Sequence, residues 1–236
     1  MGDKQLVTRQ ITGWGNYVDN TYSEGSPLSL VADTDTIIPN DMAGANVLSQ
    51  KPEDIDTFYC AGYLDYDNES GAFTKGLTIT GGTSGATATI LAVIDNGATG
   101  RLLLSDITGT FQDNEEITDT STGVADVDGT IGDGYITGQN GDSYMITVDF
   151  KAKPTNAGTT YIEDWVDIGG AVGELYRRIS SFPKGNGIER SIVHSTAVYS
   201  LDTWESNGAT VYMRANGPAD IYDIRFVVFR MHKAVA

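Results

Sequence analysis

The sequence predicts an all-β protein, and three observations support this fold class. The clearest strand pattern is 144–150, where Tyr144, Ile146, Val148 and Phe150 fall on one face. Asn-Gly pairs border this and similar segments, and the pair suits the type I′ turns of β-hairpins. No window of comparable length carries apolar residues at helical spacing. We therefore expect a β-sandwich of the jelly-roll type, with a second, smaller β-module.

Strand-like segments can be placed along most of the chain. Short strands are expected at 26–31 and 36–41, followed by an apolar patch at 56–59. Later strands are expected at 161–168, 174–180, 191–199, 209–214 and 221–231. The Asn-Gly pairs begin at Asn96, Asn140, Asn186, Asn207 and Asn216. Within the last strand, Phe226-Val227-Val228-Phe229 is apolar on both faces, which predicts either a central strand or one face against another subunit.

An acidic segment separates two parts of the expected jelly roll. From Gly76 to Gly134 there is one basic residue, Arg101, against nine acidic ones. Its short, Gly- and Thr-rich strands predict a small barrel or sandwich. The predicted organisation is therefore a first jelly-roll part with an N-terminal arm at 1–75, an inserted acidic β-module at 76–134, and a second jelly-roll part at 135–236. A continuous β-sandwich with one acidic sheet is the alternative.

If the insertion is autonomous, it can be removed. We expect that joining Lys75 to Tyr135 through a short linker leaves a folded protein. The excess of acidic residues supports this, because unpaired charges are costly to bury inside a core. The insertion is accordingly expected to project outward.

Composition argues against several partners. The formal net charge of −17 repels nucleic acid and anionic membranes, so neither is expected to bind. The single cysteine, Cys60, excludes an intramolecular disulfide, and it is expected to be a small buried apolar residue. No stretch is long and apolar enough to span a membrane, and the first residues lack the apolar part of a secretory signal. We expect synthesis in a cytoplasm.

The histidines do not predict a catalytic site. His194 and His232 are the only two, and His194 lies in an expected strand beside Ser195. A Ser-His-Asp site could be imagined from Ser195, His194 and Asp202, but neighbours in a strand point to opposite faces. His194 is therefore expected to be a half-buried strand residue. No catalytic residue is predicted, and the protein is not expected to be an enzyme.

Two acidic clusters could in principle bind Ca²⁺. They are Asp113-Asn114-Glu115-Glu116 and Asp126-Val127-Asp128-Gly129. The second lacks the third acid of a calcium loop, and Thr137 stands where the terminal glutamate is needed. We expect solvated turn acids, no metal site and no cofactor. The Gly-rich run at 81–85 has no lysine and opens no helix, which predicts a turn.

Aromatic residues lie in or beside many expected strands. Most should be core residues or subunit contacts, whereas an exposed cluster could stack on sugar. The residues concerned are Trp14, Trp165, Trp204, Tyr161, Tyr176, Tyr199, Tyr212 and Tyr222. Paired carboxylates for glycoside hydrolysis cannot be singled out among 32 acidic residues, so a carbohydrate-active enzyme is the least supported class.

Several segments resemble a family of tailed-phage virion proteins. The resemblance covers 14–65 and 135–233 and is carried by strands and turns. Its segments are Trp14 to Tyr22, Gly25-Ser26-Pro27, Gly141-Asp142-Ser143-Tyr144, Ile162 to Gly170, Ile179 to Gly185 and Asp220 to Ile224. The inserted Thr83 to Ala88 and Ile107 to Phe111 are similar to small β-modules within phage structural proteins.

This resemblance implies a role and a set of partners. Members of the family are trimeric jelly rolls, similar to the tumour-necrosis-factor (TNF) fold, and serve as head decoration (cement) proteins, head fibres or tail-fibre heads. The expectation is a homotrimer that decorates and stabilises a bacteriophage capsid, with the major capsid protein as its partner and Phe226 or Phe229 buried between copies. A receptor-binding fibre domain that recognises a host surface glycan is the alternative. The family implies no active site.

Overall fold

The computed structural model describes residues 13–41, 48–50, 58–170, 172–183 and 187–232. These ranges form an all-β fold that contains a single short helix. The expected N-terminal arm at 1–12 lies outside them. The predicted fold class is confirmed, since the chain folds into a jelly-roll-like sandwich with a small barrel inserted in it.

The strands alternate buried and exposed side chains along most of their length. The first eight are β1 Gly13–Val18, β2 Leu28–Leu30, β3 Thr36–Ile37, β4 Leu48–Gln50, β5 Tyr59–Gly71, β6 Thr78–Gly81, β7 Thr87–Asp95 and β8 Gly100–Thr108. The others are β9 Glu116–Asp119, β10 Val124–Val127, β11 Gly132–Ile136, β12 Ser143–Pro154, β13 Tyr161–Asp167, β14 Glu174–Ser181, β15 Arg190–Tyr199, β16 Thr210–Ala215 and β17 Ala219–His232. The helix α1 is Asp202–Asn207.

Two antiparallel sheets form the sandwich. Sheet 1 has the order β15-β12-β17-β1-β4, and β2 also pairs with β17; sheet 2 has the order β14-β13-β16-β3. The apolar residues between them include Phe150, Ile162, Met213, Ile221 and Phe226, all with no exposed surface. The inward residues of 144–150 belong to this core, as their spacing predicts.

Six strands close into the inserted barrel. Its order is β5-β8-β7-β6-β9-β10, and β10 pairs back with β5. Leu64, Ile79, Leu104, Ile117 and Val127 fill its interior and have no exposed surface. Together with β5, the short strands of the acidic segment thus form a barrel, one of the two arrangements that their spacing predicts.

The chain enters and leaves the barrel side by side. The first part of β5 pairs with β11, so that Tyr59 lies opposite Ile136 and Cys60 lies opposite Tyr135. The rest of β5 pairs with β8 and β10 inside the barrel. The barrel therefore begins before residue 76, the boundary taken from composition. The alternating burial of β5 is that of any half-buried strand, and it does not show which sheet β5 joins, because its barrel partners lie more than thirty residues away.

Two Asn-Gly pairs, Asn96-Gly97 and Asn140-Gly141, form turns of a different kind from the one expected, while Asn186 lies outside the described residues. Gly97 and Gly141 adopt φ values of 90° and 87°, but neither Asn96 nor Asn140 has a positive φ. A type I′ turn needs positive φ at both positions, so that expectation is wrong for these two pairs. Asn207-Gly208 instead ends α1, with Gly208 at φ 75°. The helix has six residues, too few for its spacing to be detected in the sequence.

Candidate interaction surface

The strand register brings a group of apolar side chains together on the outer face of sheet 1. Met145 lies opposite Ala197 on one side and Phe229 on the other, and Phe229 lies opposite Trp14. Residues opposite each other in antiparallel strands share a face. We call this surface the apolar face; it consists of Trp14, Val18, Met145, Val193, Ala197, Tyr199, Val227 and Phe229.

The strand 226–229 divides its side chains between the core and this face. Phe226 and Val228 have no exposed surface and lie in the sandwich core. Val227 and Phe229 point outward and are half-buried within the single chain. The apolar run therefore has a central position in sheet 1, with one face in the core and the other on the outer side of the sheet.

The centre of the apolar face carries little charge. Its charged residues are Asp149 and Arg225, which form an ion pair with each other. The hydroxyl groups of Thr147 and Ser195 form a hydrogen bond of 2.8 Å across the two strands. Further charges lie at one end, where Lys151 contacts Asp223 at 3.1 Å. An apolar centre with a charged rim is typical of protein–protein interfaces.

The outer face of sheet 2 has the opposite character. Arg177 lies 3.9 Å above the ring of Trp165 and forms ion pairs with Glu163 and Glu174 at 2.7 and 2.8 Å. On the neighbouring strand, Arg214 contacts carboxylates of the segment before β3. These charges are paired within the chain and partly solvated. Sheet 2 thus presents a face suited to water, which makes the apolar face of sheet 1 the candidate interface.

The aromatic residues do not line up as a platform for sugar. Trp165 is 4% exposed and stacks on Tyr212 at 5.6 Å, while Trp204 and Tyr222 are buried in the chain. Tyr199 is the clear exception at 60% exposure, and it lies on the apolar face. Most of the aromatic residues named from the sequence are therefore packing residues within the described ranges.

The two acidic clusters meet at one end of the barrel but are occupied by backbone donors. The Asp113 carboxylate accepts a hydrogen bond from the Gly129 N–H at 2.8 Å. Glu115 accepts bonds from the N–H groups of Thr83, Ser84 and Gln112 and from the Ser84 hydroxyl. Burial alone would raise the Glu115 pKa, but these donors together lower it below its ordinary value. Glu115 therefore fixes the Gly-rich turn.

No metal site emerges from the described part of the chain, where no group of three or more His, Cys, Asp or Glu side chains is placed to hold an ion.

The Cys60 thiol is fully buried, and burial raises its pKa to about 12. An inert thiol of this kind agrees with the expected packing role.

The structure does not bring Ser195, His194 and Asp202 together into a Ser-His-Asp site, in agreement with the strand geometry expected from the sequence. Ser195 points to the outer face of sheet 1, and Asp202 begins α1. His194 points inward and contacts two other residues, Asp164 on β13 and Ser180 on β14. The contacts of Asp164 and Ser180 with His194 could not be predicted from the sequence, because both are single polar residues in strands that lie far from His194 along the chain.

Two surface cavities border the barrel. One, of about 320 Å³, lies between the barrel and the segments around Asp19 and Asp41. The other, of about 480 Å³, lies between Arg101 of the barrel and Glu205 of α1. Neither lining includes a histidine or cysteine, and Arg101 is held by Asp65 at 2.6 Å.

Comparison with protein-family models found no match for the chain, and comparison with curated proteins found none either. Among the described residues no helix has the length and apolar character needed to cross a membrane.

Proposed function

We propose that the protein is a structural component of a tailed-phage virion, a homotrimer that decorates and stabilises the capsid. The observation that carries this proposal is the apolar face on a chain with a net charge of −17. A chain of that charge repels its own copies over most of its surface. The apolar face is where that repulsion is weakest and where burial of apolar area stabilises association.

The physical balance favours self-association through this face. Exposed charges interact weakly beyond about 8–10 Å at physiological salt, so repulsion between copies is largely screened. A standard interface buries about 800 Å² per partner, which a sheet face of several strands can supply. Val193 and Tyr199 are 58% and 60% exposed in the single chain, so a partner would cover much new apolar area. The Asp149–Arg225 pair is already neutral and needs no charge from the partner.

The barrel supports a display role. Six of the nine acidic residues between Gly76 and Gly134 are exposed, and the two buried ones, Glu115 and Asp119, accept backbone hydrogen bonds. The chain passes to and from the barrel through the paired β5 and β11. In the proposed assembly the sandwich contacts the major capsid protein and its own copies, and the acidic barrel points away from the capsid.

Glycan recognition by a fibre domain is the alternative role. It would need exposed aromatic residues, and the buried Trp165 and Trp204 cannot provide them. Counting copies in purified particles separates the two roles. Decoration requires on the order of hundreds of copies set by capsid symmetry, and a fibre requires on the order of a dozen.

The oligomer is tested by light scattering after size-exclusion chromatography. We expect three times the chain mass of 25.2 kDa at micromolar concentration. Met145→Glu places a carboxylate in the centre of the apolar face and should dissociate the trimer, because an unpaired charge is costly to bury. Ile179→Glu is the matched control, since Ile179 is 63% exposed on the charged face of sheet 2.

A wild-type monomer at this concentration would contradict self-association. Dissociation by both substitutions, or only by Ile179→Glu, would place the interface elsewhere. A trimer that is present at a few copies per particle would support the fibre role instead.

A further inference from the structure

Three residues from three strands form a hydrogen-bonded relay where the edges of the two sheets approach each other. His194 Nδ1 lies 2.5 Å from Asp164 Oδ1, and His194 Nε2 lies 3.3 Å from Ser180 Oγ. β14 and β15 are the terminal strands of sheets 2 and 1, and β13 lies next to β14. The order carboxylate, imidazole, hydroxyl is the one that activates a serine nucleophile, and such sites are recognised by geometry rather than by sequence position.

The hydrogen bonds define the direction of proton transfer. The Asp164 carboxylate accepts, so Nδ1 carries the proton that it donates. In the neutral imidazole Nε2 is then an acceptor, and the Ser180 hydroxyl donates to it. Asp164 is 3% exposed, and its burial raises its pKa while His194 opposes that rise. Contact with His194 thus favours the charged form of this buried carboxylate.

The relay lies beneath the terminal strands of the two sheets, and its histidine reaches the surface. His194 keeps 19% of its side chain exposed, and Ser180 is 7% exposed on the outermost strand of sheet 2. Arg178, two residues before Ser180 on the same face of β14, reaches β15 and donates to Ser195 O at 2.9 Å and to Thr196 Oγ1 at 2.7 Å. Its hydrogen bonds go to neutral oxygens, so the guanidinium keeps its positive charge beside the relay.

We propose that Ser180, His194 and Asp164 form a nucleophilic site that hydrolyses small carboxylic esters. Ser180 Oγ bonds to the ester carbonyl carbon while its proton passes to His194 Nε2. The carbon–oxygen bond to the alcohol then breaks, and the alcohol leaves with that proton. Water attacks the acyl-serine with His194 again as the base, releasing the acid and restoring the serine. Asp164 is a positioning residue, and Arg178 stabilises the negative carbonyl oxygen.

The surroundings select a short acyl group. Ser180 lies opposite Ile162 of β13, which has no exposed surface, and Ile192 is buried two residues before His194. Both side chains are apolar and buried, so a small acyl group, as in acetyl esters, is the one expected to fit beside Ser180.

The test uses the full-length wild-type protein with a fluorophosphonate probe, followed by peptide mass mapping and by hydrolysis of p-nitrophenyl acetate. The probe should attach to Ser180, and Ser180→Ala should abolish both labelling and hydrolysis. Ser181→Ala is the matched control, because Ser181 is exposed on the opposite face of the same strand. His194→Gln should slow labelling more than tenfold, because the general base is lost.

Absence of labelling in the wild type would overturn the proposal and leave the three residues as a contact between the sheets. Labelling at another residue, or equal labelling of wild type and Ser180→Ala, would overturn it as well. Thermal melting of each variant shows whether it is folded, so that a loss of activity caused by unfolding is recognised as such. If His194→Gln does not fold, the comparison of Ser180→Ala with Ser181→Ala still decides.

Discussion

Removal of the barrel tests how the chain is divided. Because Cys60 and Tyr135 are paired across β5 and β11, residues 61–134 can be replaced by Asn-Gly as a two-residue hairpin turn. We expect a folded sandwich that keeps its oligomeric state. The cut proposed from composition, Lys75 joined to Tyr135, should fail, because it leaves most of β5 without its partners in β8 and β10.

The expected loss of stability follows from the side chains that each deletion exposes to solvent. Replacement of 61–134 removes Leu103, which packs against Cys60 and Tyr135. These two side chains are 0% and 7% exposed in the intact protein. Uncovering two such side chains costs about 3–6 kcal/mol at about 1.5–3 kcal/mol each. A loss of this size lowers the melting temperature by on the order of 10 °C. The second cut also exposes Leu64 and Tyr66, which are 0% and 1% exposed, together with two unpaired strand edges that promote aggregation.

Both deletions are measured by light scattering after size-exclusion chromatography and by differential scanning calorimetry. The expected result is one cooperative transition for the 61–134 replacement and aggregation for the 76–134 deletion. The reverse result would refute the reasoning, since it would mean that β5 depends on the sandwich rather than on the barrel. Aggregation of both would show that the sandwich needs the barrel to fold.

Three further predictions concern stability. Glu115→Gln should destabilise the protein by about 1–3 kcal/mol at pH 7, through the lost charged acceptor. Because the folded pKa of Glu115 is lowered, calorimetry should show this difference above the ordinary glutamate pKa and its loss as the pH falls through the folded pKa. Trp204→Phe removes an indole hydrogen bond to a backbone carbonyl of β11 and should cost about 1 kcal/mol or more in a urea titration. Gly71→Ala should lower the melting temperature, because the added methyl group would lie 1.9 Å from the carbonyl oxygen of Thr122, whereas Gly25→Ala meets nothing within 4 Å and should not.

Local sequence pattern was sufficient for the fold class and for the strands expected after residue 143. The alternation in 144–150 and the strand segments after it are features of neighbouring residues, and period-two alternation survives without knowledge of the partners. Each strand expected between 144 and 231 is present in the structure. The acidic composition of 76–134 likewise marked most of the barrel, because a segment with its own turns and charge is visible along the chain.

Tertiary structure decided every question that depends on pairing between distant residues. The sequence determined that 226–229 is apolar on both faces, but only sheet pairing shows that Phe226 faces the core and Phe229 faces outward. Composition could not assign β5 to the barrel, since its partners lie more than thirty residues away. The sequence also set His194 beside Ser195, whereas the fold places it against Asp164 and Ser180. Strand alternation turns adjacent side chains apart, and packing between sheets brings distant ones together.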